Sequence, residues 1–198
     1  MKQLVLATHN QGKVNEFRDM LGPLVEDLKS AADFNLPEPE ETGTTFVENA
    51  LIKARAAASA TGLPCLADDS GLAVEALKGA PGIYSARWSG PGKDFSVAMQ
   101  KVHDELKGNV EGQGARFVVV LALVYPDGRE ELFEGKAEGN LTWPPRGAQG
   151  HGYDPIFVPA GGSQTFAEID PAAKNTMSHR ARAVEELTAY LANELQVG

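Results

Sequence analysis

The chain has 198 residues, 42% of them hydrophobic, enough for one domain or one domain with two lobes around a sizeable core, which excludes a disordered chain. With 27 acidic and 18 basic residues the formal net charge is −9; this argues against non-specific binding to DNA or RNA, while a small anionic substrate stays open because local lysines override the global sign. The single cysteine, Cys65, excludes an intrachain disulfide, and neither an 18-residue apolar run nor a leader-like opening is present, so the expectation is a soluble cytoplasmic protein with no membrane partner and no nucleic-acid partner.

Gln3 to Ala7 reads as a short buried strand. Asn15 to Leu21 reads as a helix that ends near Gly22-Pro23, and Asp33 to Gly43, with two prolines and several acids, as a loop. Thr44 or Thr45 can cap a helix with Glu48 as the capping-box acid, and that helix runs to Ala60 before Gly62 and Pro64 stop it. Cys65 to Ala67 is a second short strand, with Cys65 a buried structural thiol, and Leu72 to Val74 a third. Gly79 to Gly92 is a loop, and Phe95 to Leu106 an amphipathic helix. Phe117 to Tyr125 is a long central strand, Pro126-Asp127-Gly128 a turn, and Glu131 to Glu138 the returning strand. Trp143 to Pro155 is a glycine- and proline-rich loop, and Ser178 to Leu195 a final helix. Alternating strands and helices followed by a hairpin predict an α/β fold: a mixed central sheet with flanking helices, in one domain over residues 1–198 with two lobes and an active-site cleft between them.

Two segments that follow apolar strands carry chemistry. Thr8-His9-Asn10-Gln11-Gly12-Lys13 stands at a strand-to-helix junction, where backbone N–H groups and the helix dipole favour an anion. It is not a Walker A loop, since Ala7 stands where that motif needs glycine and Val14 where it needs serine or threonine. The alternative is an ordinary polar turn with a solvated lysine. Asp68-Asp69-Ser70-Gly71 offers two adjacent carboxylates to a hard cation such as magnesium, with Glu40 and Glu41 as second contributors. The same four residues are equally good turn chemistry.

Phe46, Asn49, Ala50 and Lys53 share a helix face by their spacing, which points Lys53 inward or at a cleft rim, to meet an anion or to snorkel past the core edge. Gly150-His151-Gly152-Tyr153-Asp154-Pro155 places two rings in a flexible loop, where they can sandwich a purine. Lys174, Ser178, His179 and Arg180 cluster at the start of the last helix, where cations oppose the dipole unless a ligand answers them; a solvated basic helix start is the bland alternative.

Taken together and in order, these pieces resemble the inosine triphosphate pyrophosphatase family, the non-canonical purine NTP pyrophosphatases. The resemblance runs over nearly the whole length: Thr8 to Lys13, Glu41-Thr42-Gly43 through Asn49-Ala50 to Lys53, Ala67 to Leu72, Gly79 to Arg87, Pro145-Arg146-Gly147, Gly152 to Phe157, and Lys174 with Ser178-His179-Arg180. It implies magnesium-dependent hydrolysis of ITP, dITP and XTP to the monophosphate and pyrophosphate, by a two-lobed α/β protein that forms a homodimer. Carried over by position, Thr8, His9, Asn10, Gln11, Gly12, Lys13 and Lys53 hold the triphosphate, Ser70 touches substrate, and Glu41, Asp69 and the less certain Glu40 bind metal. Asp69 is also the proton acceptor for water, with Lys53 its catalytic companion. His151, Gly152, Tyr153, Asp154, Lys174, His179 and Arg180 form the base pocket. The family usually carries Phe or Trp where this chain has His151, which reduces stacking area and adds a titratable ring. Two other readings are a Maf-like nucleotide pyrophosphatase, opposed by Ser178-His179-Arg180 and Gly152-Tyr153-Asp154-Pro155, and a non-catalytic nucleotide sensor, which would not need the carboxylates.

Overall fold

The computed structural model describes residues 1–197. Six strands form one sheet in the order β2-β1-β3-β4-β5-β6. They are β1 (Gln3–Leu6), β2 (Asp27–Ser30), β3 (Cys65–Val74), β4 (Gly114–Val124), β5 (Glu130–Leu141) and β6 (Phe157–Pro159). The helices are α1 (Gln11–Leu21), α2 (Phe46–Thr61), α3 (Phe95–Glu105), α4 (Pro171–Met177) and α5 (His179–Val197). The sheet is mixed: β1 runs parallel to both β2 and β3, with Val5 opposite Cys65, whereas β5 and β6 are antiparallel. The expected α/β class is therefore observed. None of the described helices is long and apolar enough to cross a membrane.

The chain divides into two compact units. The first comprises Met1–Asp69, Val120–Glu134 and Ala183–Gly198; the second comprises Ser70–Val119 and Gly135–Arg182. In the first, α2 packs through Ala50, Ala54, Ala57 and Ala58 against Val5, Cys65, Ala67, Val120, Ala122 and Val124. Alanine is the strongest helix former and gives a low-relief face, so one run of residues serves both the helix and its packing. Cys65 is fully buried and burial pushes its thiol pKa up, as a structural thiol requires. Thr45 caps α2 by accepting the Glu48 N–H at 3.1 Å, and Glu48 reaches back to the Thr44 N–H at 2.6 Å. At the other end Gly62 adopts φ +66, a left-handed stop that suits glycine.

The second unit is built around an aromatic layer. Phe117 lies 4.6 Å from Phe157 and 5.9 Å from Phe166 between ring centroids, and the second pair is stacked. Leu72, Val74, Val102, Leu141 and Ile156 complete that core.

Several elements differ from the sequence reading. Cys65–Val74 is one strand of ten residues, not two short strands around a turn. Lys13 meets the Asp68 carboxylate in its interior at 2.7 Å, and Lys53 binds the Asp68 carbonyl. β2 is not among the strands expected from the sequence, where Asp27-Leu28-Lys29-Ser30 has one apolar residue; it is an edge strand, where charged side chains are usual. α4 lies ahead of the last helix, with Asp170 as its cap accepting the Ala172 N–H at 3.2 Å and Pro171 in its first turn. α1 also begins four residues earlier than expected, at Gln11, so Thr8 to Lys13 is a cap and first turn.

Candidate active site

The phosphate-type residues and the four candidate carboxylates, Glu40, Glu41, Asp68 and Asp69, lie in the first unit. β1 ends at Leu6, and the chain turns into α1 through Thr8, His9 and Asn10. Asn10 caps the helix, its side chain accepting the Lys13 N–H at 3.2 Å, while Thr8 Oγ1 accepts the Asn10 N–H at 3.1 Å. These two oxygens hold the turn that aims Lys13. Its ammonium sits 2.7 Å from Asp68 Oδ2. Gln11 is exposed and donates to Asn15 at 3.0 Å; His9, Asn10 and Gly12 are exposed as well.

Lys53 projects from α2 toward β3. Its Nζ donates to the Asp68 carbonyl at 2.5 Å and lies 3.3 Å from Glu41 Oε1. At 16% exposure this lysine points inward rather than snorkelling outward. A cavity of about 270 Å³ is lined by Thr8, His9, Lys13, Glu41, Lys53 and Asp68 on its polar side. Leu36, Ala56 and Ala57 contribute to its apolar side.

Successive residues of β3 point to opposite faces. Asp68 therefore meets Lys13, while Asp69, in step with Cys65 and Ala67, faces α2. The Asp69 carboxyl is buried, and its Oδ2 has no hydrogen-bond partner. Burial pushes its pKa from the ordinary 3.8 up to about 7; Lys53 opposes the rise, Glu41 and Asp68 add to it, and a hydrogen bond from Asn49 lowers it. A carboxylate that exchanges its proton near neutrality, beside an ammonium, is suited to accept a proton from water.

Glu41 and Glu40 separate. Glu41 lines the cavity, whereas Glu40 is exposed and takes no part in its wall. Among the described residues no group of three or more His, Cys, Asp or Glu is gathered closely enough to hold a metal by itself. Of the expected trio Glu40, Glu41 and Asp69, the cavity wall includes Glu41 alone, and Asp69 is buried beside it.

The base-type residues lie in the second unit, where Ser70 is the first residue after Asp69. Asp154 is 3% exposed. It accepts the His151 N–H at 3.0 Å and the Lys174 ammonium at 2.5 Å. Lys174 also lies 5.6 Å from the centre of the Phe166 ring. His151 is exposed at the end of the turn that Asp154 closes. Tyr153 is not an open ring face: it is buried in the core, edge-on to Phe95 at 5.5 Å, with its hydroxyl donating to the Ser85 carbonyl at 2.7 Å. Its phenol pKa is driven far up by burial. The expectation of two rings sandwiching a base is corrected accordingly, since the tyrosine's size and single donor suit it to the core.

His179 and Arg180 open α5, and both are buried. The His179 ring stacks on Phe117, with centroids 5.0 Å apart and planes 16° from parallel. Ser178 caps this helix by accepting the Ala181 N–H at 3.1 Å. Lys174 belongs to α4 instead, so the basic cluster is split between two helices; Asp170-Pro171 is the start signal that marks the division.

Two further residues support these groups. Asn49, buried on α2, accepts the Gly43 N–H at 2.8 Å and so fixes the segment that leads from Glu41 into the helix. Ser85 accepts the Leu72 N–H at 2.9 Å and donates to the Gly82 carbonyl at 2.6 Å, which fixes β3 just beyond Ser70. Asn49 is marked in the sequence as a polar residue on an apolar helix face. Ser85 carries no comparable signal.

Residues 4–190 match the family described as the Ham1 family. A protein of Rhodospirillum centenum named dITP/XTP pyrophosphatase is 58% identical over 188 residues, covering 94% of this chain and 93% of its own. One of the same name from Gluconobacter oxydans is 55% identical, covering 96% of this chain and 89% of its own. Among solved structures, a HAM1 protein from Coxiella burnetii superposes with a TM-score of 0.91 at 42% identity, covering 98% of this chain and all (100%) of that one. Sequence and fold agree: the chain belongs to the Ham1 family.

Proposed function

We propose that the protein hydrolyses deaminated purine nucleoside triphosphates, dITP, ITP and XTP, to the monophosphate and pyrophosphate, with magnesium as its cofactor. The observation that carries this reading is Asp69, a buried carboxyl poised near neutrality beside Lys53 and Glu41, close to a cavity lined by Lys13 and Lys53. The names of the relatives from Rhodospirillum centenum and Gluconobacter oxydans support the substrate class.

The donor set fits a hard divalent cation. Asp69 Oδ2 is a buried oxygen that lacks a partner, Glu41 supplies a second carboxylate near it, and magnesium asks only one or two carboxylates of a protein, taking the rest from water and phosphate. Bound there, the cation would neutralise phosphate charge and polarise the phosphorus under attack. Asp69 orients the attacking water and takes its proton. Lys13 and Lys53, leaving their resting partners Asp68 and Glu41, offset the charge that grows on the departing pyrophosphate. Thr8, His9, Asn10, Gln11 and Gly12 hold the phosphates at the first turn of α1.

The purine is assigned to the second unit's residues, His151 to Asp154, Lys174, His179 and Arg180, with Ser70 touching substrate. Hypoxanthine and xanthine carry an acceptor oxygen at position 6, where adenine carries a donor amine. Donors from Arg180 and His179 match the oxygen and are left unpaired against the amine, which can discriminate by a factor on the order of 10⁴. Guanine shares that oxygen, so its rejection needs a group that senses the 2-amine. The same reading carries a homodimer in the cytoplasm.

The test is an assay of purified protein with magnesium on ITP, XTP, dGTP and ATP, with pyrophosphate and orthophosphate scored separately. Pyrophosphate from ITP and XTP with little from ATP or dGTP is the expected result. Orthophosphate, or equal rates on all four, would overturn the reading.

A further inference from the structure

Pairing of β3 with β1 ends at Leu66. Toward its other end β3 takes partners from the loop that follows it. The Val74 N–H donates to the Ala80 carbonyl at 3.0 Å, Ala73 bridges Pro81, and the Leu72 N–H donates to Ser85 Oγ at 2.9 Å. Ser85 is buried, and each of its polar groups is used. Its N–H and its hydroxyl both donate to the Gly82 carbonyl, at 3.1 and 2.6 Å, and its carbonyl accepts the Tyr153 hydroxyl at 2.7 Å. The approach to the strand is close: a Cβ on Gly71 would run into the Gly82 carbonyl and stand 2.5 Å from Ser85 Oγ.

Ser85 therefore has two working ends. Its hydroxyl grips β3 two residues beyond Ser70, and its carbonyl holds the tip of Tyr153. The Tyr153 ring is buried and edge-on to Phe95, so it is fixed by packing along its side and by one hydrogen bond at its end. Beside it, the Asp154 carboxylate closes the turn at the His151 N–H. Phenylalanine would satisfy the packing alone. A hydrogen bond adds a direction and a set distance, and here such bonds run in series through one residue, from the base-type turn to the strand that carries Ser70. We propose that Ser85 is a positioning residue for substrate recognition, holding the turn of His151 to Asp154 in register with Ser70, with no contact to substrate required. This rests on the assignment of Ser70 and of that turn to the substrate given above.

Two variants cut this tie at different ends. Tyr153→Phe keeps the ring against Phe95 and removes the hydroxyl that reaches Ser85. Ser85→Ala keeps the carbonyl and removes the side-chain bonds to Leu72 and Gly82. In each, KM for ITP is expected to rise at least about fivefold, by more than kcat falls, since the base end of the substrate loses a held site. Inhibition by pyrophosphate, the product that lacks a base, is expected to keep its Ki within about twofold, since no phosphate residue is touched. A merely structural loss lowers the folded fraction, which scales kcat and leaves KM alone. An unchanged KM, or a fall in kcat with no rise in KM, overturns the proposal. So does a pyrophosphate Ki that rises as much as KM. The wild-type rate on ITP, measured alongside, tests the activity itself, so the two failures are distinguishable.

The double variant tests the connection between the two ends. Both changes break one tie, so the KM shift of the pair together is expected to match the larger single shift. A shift equal to the product of the two overturns the proposal. If one variant does not fold, the other decides alone by the same KM result.

Discussion

Asp69→Asn is expected to stabilise the protein while abolishing its turnover. The displacement of the Asp69 pKa from 3.8 to about 7 corresponds to roughly 4 kcal/mol between the neutral and ionised forms. An asparagine still buries a polar amide, so the expected gain at pH 8 is about 1–3 kcal/mol. For a chain of this size each kcal/mol moves Tm by roughly 2–4 °C. The sign follows from linkage. The folded pKa lies above the unfolded one, so folding holds the proton more tightly and ionisation opposes folding. The penalty is complete above about pH 7, shrinks as pH falls, and disappears below about pH 4, where Asp69 is protonated in both states. The assay is thermal unfolding of wild type and variant in EDTA at several pH values from 4.5 to 8, a range chosen to bracket roughly that transition. A variant no more stable than wild type at pH 8, or a gain that does not shrink toward acid, would refute the reasoning. So would a variant that keeps more than about a tenth of the turnover.

Lys174→Met leaves the buried Asp154 carboxylate without its ammonium; a loss of about 3–5 kcal/mol in urea-unfolding free energy is expected, and a change below about 1 kcal/mol would show that the pair is not coupled to folding. Tyr153→Phe removes the donor to the Ser85 carbonyl and should cost about 1–3 kcal/mol by the same measurement. Arg55→Ala deletes the bidentate pair with Glu130 at 2.6 and 2.9 Å, yet both residues are partly solvated, so less than about 1 kcal/mol is expected. Arg180→Ala should narrow the ratio of kcat/KM between ITP and ATP; an unchanged ratio would remove Arg180 from the selectivity argument.

The legible parts of the chain were those where local pattern and tertiary role coincide. The alanine face of α2, its Thr45 cap with Glu48, the hairpin around Pro126-Asp127-Gly128 and the buried Cys65 all follow from spacing and burial. β3 is the instructive failure. Asp68-Asp69-Ser70-Gly71 is good turn chemistry and poor strand chemistry locally, and the extended conformation is supported from a distance, by Lys13 of α1 on the Asp68 carboxylate and Lys53 of α2 on the Asp68 carbonyl. Charges that come from distant parts of the sequence leave no local trace. Tyr153 fails for a related reason: a glycine-flanked ring looks mobile until Ser85 and Phe95 are seen to hold it. Helix spacing alone leaves Lys53 between an inward and a snorkelling orientation, and the geometry selects the inward one.

The central claim is that water, prepared at Asp69, attacks the α-phosphorus and expels pyrophosphate. Hydrolysis of ITP in H₂¹⁸O with magnesium, followed by mass spectrometry of both products, tests it most directly. The account predicts the label in the inosine monophosphate and none in the pyrophosphate. Label in the pyrophosphate, or orthophosphate as the released product, would contradict it.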